Sequence, residues 1–157
     1  GGGVVVNGKL LNGVNGVGGE WGHNPLPRLA RTDQRRACWC GRHDCIETYL
    51  SGPALARDLG EAGVTARDIA GRRDVAAIEA LDRFVARLGA ALATVVNVLD
   101  PDVIVLGGGI SNIERLYCDL PEAMRAHVFS DVVTTRIAQN HHGDSSGVRG
   151  AAWLWQG

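Results

Sequence analysis

The sequence predicts an α/β domain in which helices pack on a mixed sheet, and three patterns support that class. A hairpin signal opens the chain, where the stretch GGGVVVNGKLLNG contains the turn dipeptide Asn7-Gly8. A long apolar stripe at steps of three and four then indicates a helix from Asp74 to Leu99. Residues 102–106 follow that helix as a β-branched run, which is typical of a buried strand.

The segment between the hairpin and the long helix is predicted to be mostly irregular. Residues 14–45 are rich in Gly and Pro at their start and read as loop. Residues 46–50 fit one helical turn, and Ser51 is a suitable N-cap for a following helix that has Pro53 in its first turn. Thr65 is predicted to cap a short helix that ends near Ala70.

The long helix and the elements after it form an alternating series. Asp74 is predicted to cap the long helix, and Pro101 to end it. Its apolar stripe consists of Ile78, Leu81, Val85, Leu88, Leu92, Val95 and Leu99. After the strand and a glycine turn we expect a helix over 112–129 that is interrupted by Pro121, a strand over 131–139, and a closing helix over 148–155.

Composition and charge limit the classes of function. The formal net charge is −1, so no basic field favours nucleic acid or an anionic membrane surface. The longest apolar run, Leu88 to Leu99, is shorter than the ~20 residues that cross a bilayer, and no signal peptide opens the chain. We therefore expect a cytoplasmic protein with no membrane or nucleic-acid partner.

Three of the four cysteines lie within the stretch RACWCGRHDCIE. Cys38 and Cys40 are too close in sequence for ordinary disulfide geometry, so with Cys45 they favour a metal site. Zinc usually takes four Cys or His ligands, and spacing alone leaves His23 and His43 open as the fourth. The alternative is three free thiols that pack without a metal.

This cysteine stretch also carries a family resemblance. GEWGH followed by CWCGRHDCIE resembles the E-x-G-H and C-x-C-G-x-x-G-C-x-E motifs of ROK-family sugar kinases. The resemblance continues through SGPAL, and VVNVLDPDVIVLGGGIS and HGDSSGVRGAAWL are most similar to the bacterial fructokinases of that family, which also accept mannose. It implies the carboxy-terminal lobe of a ribonuclease H-like, actin-like ATPase fold, with an inserted zinc-binding loop at about residues 20–47.

The resemblance assigns roles to individual side chains. The ligands that it implies for a structural zinc are His23, Cys38, Cys40 and Cys45. Glu20, His23 and Glu47 are implied as the contacts to the sugar, where carboxylates accept hydrogen bonds from hydroxyl groups. Without the motif, both acids read as solvated surface residues. Asp44 replaces a glycine of the family motif, and Asp tolerates the left-handed backbone that the turn requires.

Two glycine triplets are candidates for the nucleotide site. Gly107, Gly108 and Gly109 follow a predicted strand and precede a helix, which is where open α/β sheets bind ligands. The resemblance implies that they line the adenosine site. Gly1, Gly2, Gly3 and Val4 resemble the end of the phosphate-binding hairpin of the family. A glycine triplet by itself indicates only a tight turn.

The function implied is phosphorylation of a hexose by ATP and Mg²⁺, most specifically of fructose to fructose 6-phosphate, in a homodimeric complete enzyme. The catalytic aspartate of the family lies in an Asn-Asp dipeptide, which these 157 residues do not contain. We therefore expect the chain to be the carboxy-terminal half of the enzyme, inactive alone. The alternatives are the sugar-sensing domain of a ROK transcriptional repressor and a zinc-stabilised interaction module. The sequence before Gly1 would separate kinase from repressor.

Overall fold

A computed structural model describes residues 1–27, 34–61, 63–143 and 145–153, and its first element is the predicted hairpin. Strand β1 (Val5–Val6) pairs in antiparallel fashion with β2 (Lys9–Leu10). The two turn residues between them both have positive φ, 50° at Asn7 and 74° at Gly8. This is the type I′ geometry that Asn-Gly favours, so the hairpin prediction is confirmed.

Two short helices follow the loop region, each with the predicted cap. A 3-10 turn at Ile46–Thr48 leads into α1 (Gly52–Leu59), where the Ser51 hydroxyl accepts the Ala54 N–H at 3.3 Å. Helix α2 (Ala66–Gly71) begins at a capping box in which Thr65 and Asp68 each bond the other's backbone N–H. Both caps satisfy N–H groups that a helix start leaves without a partner.

Helix α3 (Val75–Leu99) is the longest element and carries the core. Asp74 accepts the Ala77 N–H at 3.1 Å at its start, and Asp100 ends it in a left-handed conformation with a φ of 44°. Of the predicted stripe, Leu81, Val85, Leu88 and Leu92 are buried and Val95 is half-buried, whereas its two ends, Ile78 and Leu99, are exposed. The core positions of α3 that the stripe did not include are Ala77, Ala80, Phe84, Ala93 and Val96.

The second half of the chain alternates strands and helices as predicted, with shorter elements. Strand β3 (Val103–Leu106) leads through a 3-10 turn at Gly109–Asn112 to α4 (Arg115–Arg125), then to β4 (Arg136–Gln139) and α5 (Ser146–Trp153). Pro121 lies inside α4 and does not split it. Strand β4 is less than half the predicted length, and the part of the closing-helix prediction beyond residue 153 lies outside the described residues.

The described strands pair in two separate ladders. One is the antiparallel β1–β2 hairpin, and the other is a parallel pair in which Val103 lies opposite Arg136 and Leu106 opposite Gln139. Antiparallel and parallel pairing, which a mixed sheet combines, are both present. The four strands nevertheless form two separate two-stranded sheets, with no hydrogen-bonded ladder described between them. Strand β3 is also less buried than predicted, since only Leu106 among its residues is buried.

The main core lies between α3 and α4. Gly89 allows this close contact, because a Cβ built on it would lie 2.7 Å from the backbone carbonyl carbon of Ala123 in α4. The side chains of α4 that pack into the core are Leu116, Leu120 and Met124, all fully buried. Among the described helices, none combines the length and apolar character that a bilayer crossing requires.

Candidate metal centre and adjoining acidic wall

Four side chains from two separate segments meet in what we call the thiol cluster: His23, Cys38, Cys40 and Cys45. Their ligand atoms all lie within 4.8 Å of one another. The Sγ of Cys38 is 3.5 Å from Nδ1 of His23, and the Sγ atoms of Cys40 and Cys45 are 3.7 Å apart. The structure thus brings together the four residues that the family resemblance implied as metal ligands.

Local backbone pairing produces this convergence. The Cys38 N–H donates a hydrogen bond to Arg42 O at 2.8 Å, and the Gly41 N–H donates one to Cys38 O at 3.0 Å. Gly41 has a φ of 85°, which its lack of a Cβ permits. An isolated bridge between Pro25 and Cys45 then places the His23 segment beside the third thiol.

The second histidine candidate points elsewhere. His43 is exposed and forms a backbone bridge with Ala37 across the bend. It is not a member of the group of metal-ligating side chains found among the described residues. His23 is the histidine of this group because the Pro25–Cys45 bridge returns its segment to the thiols, a long-range effect that sequence spacing does not reveal.

The donor set and its distances fit a tetrahedral zinc ion. With Zn–S bonds of about 2.3 Å and a Zn–N bond of about 2.05 Å, tetrahedral angles put two sulfurs about 3.8 Å apart and a nitrogen and a sulfur about 3.6 Å apart. The Cys40–Cys45 and Cys38–His23 distances match these values to within about 0.1 Å. Three thiolates and one imidazole complete the coordination and leave no open position for catalysis.

The three thiols of the cluster differ in the direction in which their pKa values are shifted. The backbone N–H of Arg42 is the main cause that lowers the pKa of Cys40 to about 6. The pKa of Cys38 is lowered by a backbone hydrogen bond from Cys40, but burial and hydrogen bonds within the cluster outweigh this and raise it to about 12. Burial likewise raises the pKa of Cys45. A metal bound here would take the thiols as thiolates and would therefore displace their protons.

Asp44 adopts the backbone conformation expected of the glycine that it replaces. Its φ is 61°, and its carboxylate accepts hydrogen bonds from the Arg36 N–H at 2.8 Å and the Tyr49 hydroxyl at 2.8 Å. The Arg35 guanidinium adds a third at 3.0 Å. The Arg36 backbone bond is the main cause that lowers the pKa of Asp44 to about 2. The substitution thus keeps the turn and ties it to neighbouring side chains.

A largely buried ionic group anchors the cysteine segment to the helices, and no sequence pattern indicated it. The Arg36 guanidinium lies 4.1 Å from the centre of the fully buried Tyr49 ring and donates to Thr48 O at 2.8 Å. It also bonds Asp58 in α1, which in turn bonds Arg87 in α3. These partners are 22 and 29 residues apart in sequence, so no local spacing could reveal them.

Glu20 and Glu47 both lie beside Gly22, and we call this pair the acidic wall. Glu47 also adjoins the thiol cluster. Glu20 Oε1 accepts the Gly22 N–H at 2.9 Å. A Cβ built on Gly22 would lie 3.0 Å from that oxygen and 3.8 Å from Glu47 Cβ, so the two acids adjoin the same glycine. Glu47 Oε1 is 3.3 Å from the Cys38 sulfur and 3.8 Å from His23 Nδ1.

The surroundings of the two acids differ in exposure. Glu20 is exposed, whereas the Glu47 side chain is 30% exposed and borders a cavity of about 240 Å³. The Trp39 side chain shares this cavity, is 83% exposed and contacts the His23 ring edge-on with centroids 4.9 Å apart. The cysteine motif predicted no role for Trp39, since its middle position carries no ligand.

The two glycine triplets lie in different surroundings. A Cβ on Gly2 would come within 2.7 Å of Gly19 O, and one on Gly1 within 3.2 Å of Glu20 Oε2, so the first triplet packs against the acidic wall. The second triplet follows β3, and Gly108 has a φ of 68°. A Cβ on Gly107 or Gly109 would meet no atom within 4 Å, so the outer face of this turn has room for a ligand.

Comparison with known proteins identifies the family. A family model described as ROK family matches residues 1–157, which is the whole chain. The chain belongs to the ROK family. The motif resemblance at residues 20–47 is therefore confirmed at the level of the family.

Several ROK proteins are similar to this chain over nearly its whole length. The N-acetylgalactosamine kinase of Shewanella sp. is 39% identical over 100% of this chain and 54% of its own length. The N-acetyl-D-glucosamine kinase of Photobacterium profundum is 38% identical over 98% of this chain and 54% of its own length. The chain thus spans about half the length of the curated relatives that it matches.

Solved ROK structures share the fold. A ROK glucokinase from Streptomyces griseus, solved with glucose and AMPPNP, is 25% identical with a TM-score of 0.84 over 99% of this chain and 57% of its own. A ROK transcriptional regulator, a homolog of the E. coli MLC protein, is 26% identical with a TM-score of 0.75 over 98% of this chain and 42% of its own. The fold therefore occurs in both a ROK enzyme and a ROK regulator.

Proposed function

We propose that this chain is the carboxy-terminal lobe of an ATP-dependent hexose kinase. The observation that carries the proposal is the acidic wall, in which Glu20 and Glu47 adjoin the same glycine and Glu47 contacts a His–Cys₃ cluster, in a chain of the ROK family. The named kinases that match it over almost its whole length support the same activity. Localisation in the cytoplasm and assembly as a homodimer remain part of the proposal.

We assign zinc to His23, Cys38, Cys40 and Cys45 as a structural ion. When bound, zinc would cross-link the two loop segments and neutralise the thiolates. His23 Nδ1 faces the thiols, so its Nε2 edge remains available to donate to a sugar hydroxyl. The same ring would then hold the metal with one nitrogen and orient the sugar with the other.

The sugar is proposed to lie against Glu20, His23 and Glu47. Carboxylates accept hydrogen bonds only, so the two acids select ligands that present several hydroxyl donors. Adjacent hydroxyls of a hexose have this character. Because both acids adjoin Gly22, a side chain at that position would fill the space between them.

The nucleotide is proposed to lie at Gly107, Gly108 and Gly109, with Gly1, Gly2, Gly3 and Val4 nearer its phosphates. The turn at 107–109 leaves the carboxyl end of a parallel strand, which is where such sheets bind ligands. Among the described residues the thiol cluster is the one group of metal-ligating side chains. We assign Mg²⁺ to the phosphates of ATP, whose charge it would offset.

The general base is proposed to come from an amino-terminal lobe. In phosphoryl transfer an aspartate accepts the proton of the attacking hydroxyl as that oxygen approaches the γ-phosphate. This chain would supply orientation of the sugar and part of the nucleotide site. The isolated 157-residue chain should therefore release no ADP above background with any hexose.

The preferred sugar is the finer part of the proposal. Similarity to fructokinase motifs predicted fructose, whereas the named relatives act on N-acetylhexosamines, and the matched glucokinase was solved with glucose. We propose an N-acetylhexosamine as the substrate. An ADP-release assay on the full-length, two-lobed protein should give the highest kcat/KM with N-acetylglucosamine or N-acetylgalactosamine. Preference for fructose would instead support the substrate that the fructokinase motifs predicted. No turnover with any sugar would refute the proposed kinase activity.

The regulator in the comparison supports one alternative, a sugar-sensing domain. A sensor would bind the same sugars without consuming ATP, and would carry a DNA-binding segment elsewhere in its chain. Sugar binding measured by calorimetry, together with absent ADP release, would favour this function. Absent binding of any sugar would favour the third candidate, a zinc-stabilised interaction module.

A further inference from the structure

We propose that Asn140 is a positioning residue for the nucleotide, because its side-chain amide joins the turn at Gly107–Gly109 to the start of α5. The inference rests on the proposed function, since that function places the nucleotide at this turn. The contacts themselves are independent of any ligand. Together they form what we call the Asn140 bridge, made of Leu106, Ser111, Asn140 and Ser146.

The amide nitrogen of Asn140 holds the strand and the turn. It donates to Leu106 O at 3.1 Å and to Ser111 Oγ at 2.8 Å, so both of its protons have acceptors. The backbone N–H of Asn140 also donates to Leu106 O, at 3.2 Å. Leu106 is the last residue of β3 and directly precedes the glycine triplet.

Ser111 connects Asn140 to the glycine turn through hydrogen bonds of its hydroxyl. Its side chain is fully buried, and its hydroxyl donates to Gly108 O at 2.7 Å while accepting from Asn140. The carbonyl of Ser111 is fixed as well, because it accepts from the Tyr117 hydroxyl at 2.7 Å and from Gln139 Nε2 at 3.1 Å. The orientation of the Gly108 peptide thus depends on a buried serine whose hydroxyl Asn140 contacts.

The amide oxygen of Asn140 reaches the other loop. The Ser146 hydroxyl has a single proton, which this oxygen at 2.9 Å shares with Gly143 O at 2.6 Å. Ser146 is the first residue of α5. The orientation of the amide follows from its partners, since Leu106 O can only accept and must face the nitrogen.

The Asn140 bridge therefore sets the relative position of the two loops that leave the carboxyl ends of β3 and β4. Ligands of open α/β sheets bind between such loops. Movement of the Gly108 peptide would shift the open face that Gly107 and Gly109 offer to the nucleotide. The acidic wall has no contact with this network among those described, so the effect should be confined to ATP.

The test compares Asn140→Asp and Asn140→Ala with the parent in the full-length, two-lobed protein. Asn140→Asp keeps the shape but replaces the donating nitrogen by an oxygen that faces Leu106 O. Asn140→Asp loses the two bonds of the amide nitrogen, and Asn140→Ala loses all three bonds of the amide. If part of this loss appears as weaker binding of the nucleotide, both variants should raise the KM for ATP by about tenfold. The KM for the sugar and the zinc content should both stay within about twofold of the parent values.

Two further variants separate positioning from general destabilisation. Ser146→Ala removes the partner of the amide oxygen and the contact with Gly143 O, but keeps both bonds of the amide nitrogen, so it should raise the KM for ATP less than either Asn140 variant does. Arg136→Ala is the matched control, because Arg136 is an exposed residue on the same strand and should leave every parameter unchanged. If the Asn140 variants do not fold, an unchanged KM for ATP in Ser146→Ala overturns the inference.

The outcomes distinguish this inference from the proposed function. A parent protein without kinase activity refutes the proposed function and the inference with it. An active parent whose KM for ATP is unchanged in both folded Asn140 variants refutes the inference alone. A variant in which kcat falls while both KM values stay constant, or both rise together, also refutes it, because a merely structural role produces that pattern.

Discussion

Replacing Glu47 by glutamine should weaken recognition of the sugar without loss of the metal. Glu47 Oε1 lies 3.3 Å from Cys38 Sγ, and its side chain is 30% exposed, so glutamine fits with little rearrangement. Hydrogen bonds to a charged partner contribute about 1.5–3 kcal/mol and neutral ones about 0.5–1.5 kcal/mol. The difference of about 1–1.5 kcal/mol predicts a loss of roughly tenfold in kcat/KM for the sugar. Glu47→Ala, which removes the acceptor entirely, should cost one to two powers of ten.

The assay measures ADP release by the full-length protein at varied sugar and at varied ATP, with zinc content determined on the same samples. The matched control is Glu79→Gln on α3, since that side chain is 62% exposed and lies 3.9 Å from Arg83. The KM for ATP should change little in either glutamine variant. A Glu47→Gln protein that keeps its zinc and the kcat/KM of the parent would show that Glu47 is only a surface acid.

Three further substitutions test the metal, a helix cap and the core. Cys40→Ser should release zinc and increase proteolysis between residues 20 and 47. The control Cys118→Ser alters an exposed thiol outside the cluster and should keep one zinc per chain by elemental analysis. Equal zinc contents in the two variants would exclude Cys40 as a ligand. Asp74→Ala should lower stability at neutral pH, because bonds from Arg72 and then from the Ala77 N–H hold the pKa of Asp74 below its ordinary 3.8. The contribution of Asp74 to stability is present above pH 3.8 and is lost as the pH falls through the lower folded-state pKa. The urea midpoints of the parent and of Asp74→Ala should therefore converge in acid. Midpoints that stay equally far apart in acid would contradict this reasoning. Gly89→Ala should destabilise the fold by about 1–3 kcal/mol through overpacking against α4, while Gly71→Ala, where a Cβ meets nothing within 4 Å, should be neutral or stabilising; equal thermal midpoints for both would contradict the packing.

The features predicted best from the sequence are those that depend on neighbouring residues. The Asn7-Gly8 turn, the Thr65 cap and the Asp74 cap each involve groups within three residues of one another, and all three form. The return bond from Asp68 to the Thr65 N–H was not predicted. The strand expected over 131–139 is the contrasting case. Only its last four residues, Arg136–Gln139, pair with β3, which itself has four residues.

The site shows the same division. Cysteine spacing predicted a metal site, and the family motif supplied His23, since spacing alone left His43 open. The anchoring group of Arg36, Asp58 and Arg87 was missed, because its members come from three segments and are joined only by the packing of helices. The Asn140 bridge was missed for a similar reason, as its contact with Ser111 spans 29 residues.

The salt bridges from Arg36 through Asp58 to Arg87 affect whether residues 20–47, which carry the proposed zinc ligands, can function in another protein scaffold. Arg36 lies two residues before Cys38, and its guanidinium is held by a carboxylate on one helix that a second helix also contacts. A synthetic peptide of residues 20–47 would keep every proposed zinc ligand and both acids, yet it would lack Tyr49, Asp58 and Arg87. We expect such a peptide to take up zinc without acquiring affinity for sugars. A designer who moves this loop to another scaffold would have to carry the helical anchor with it.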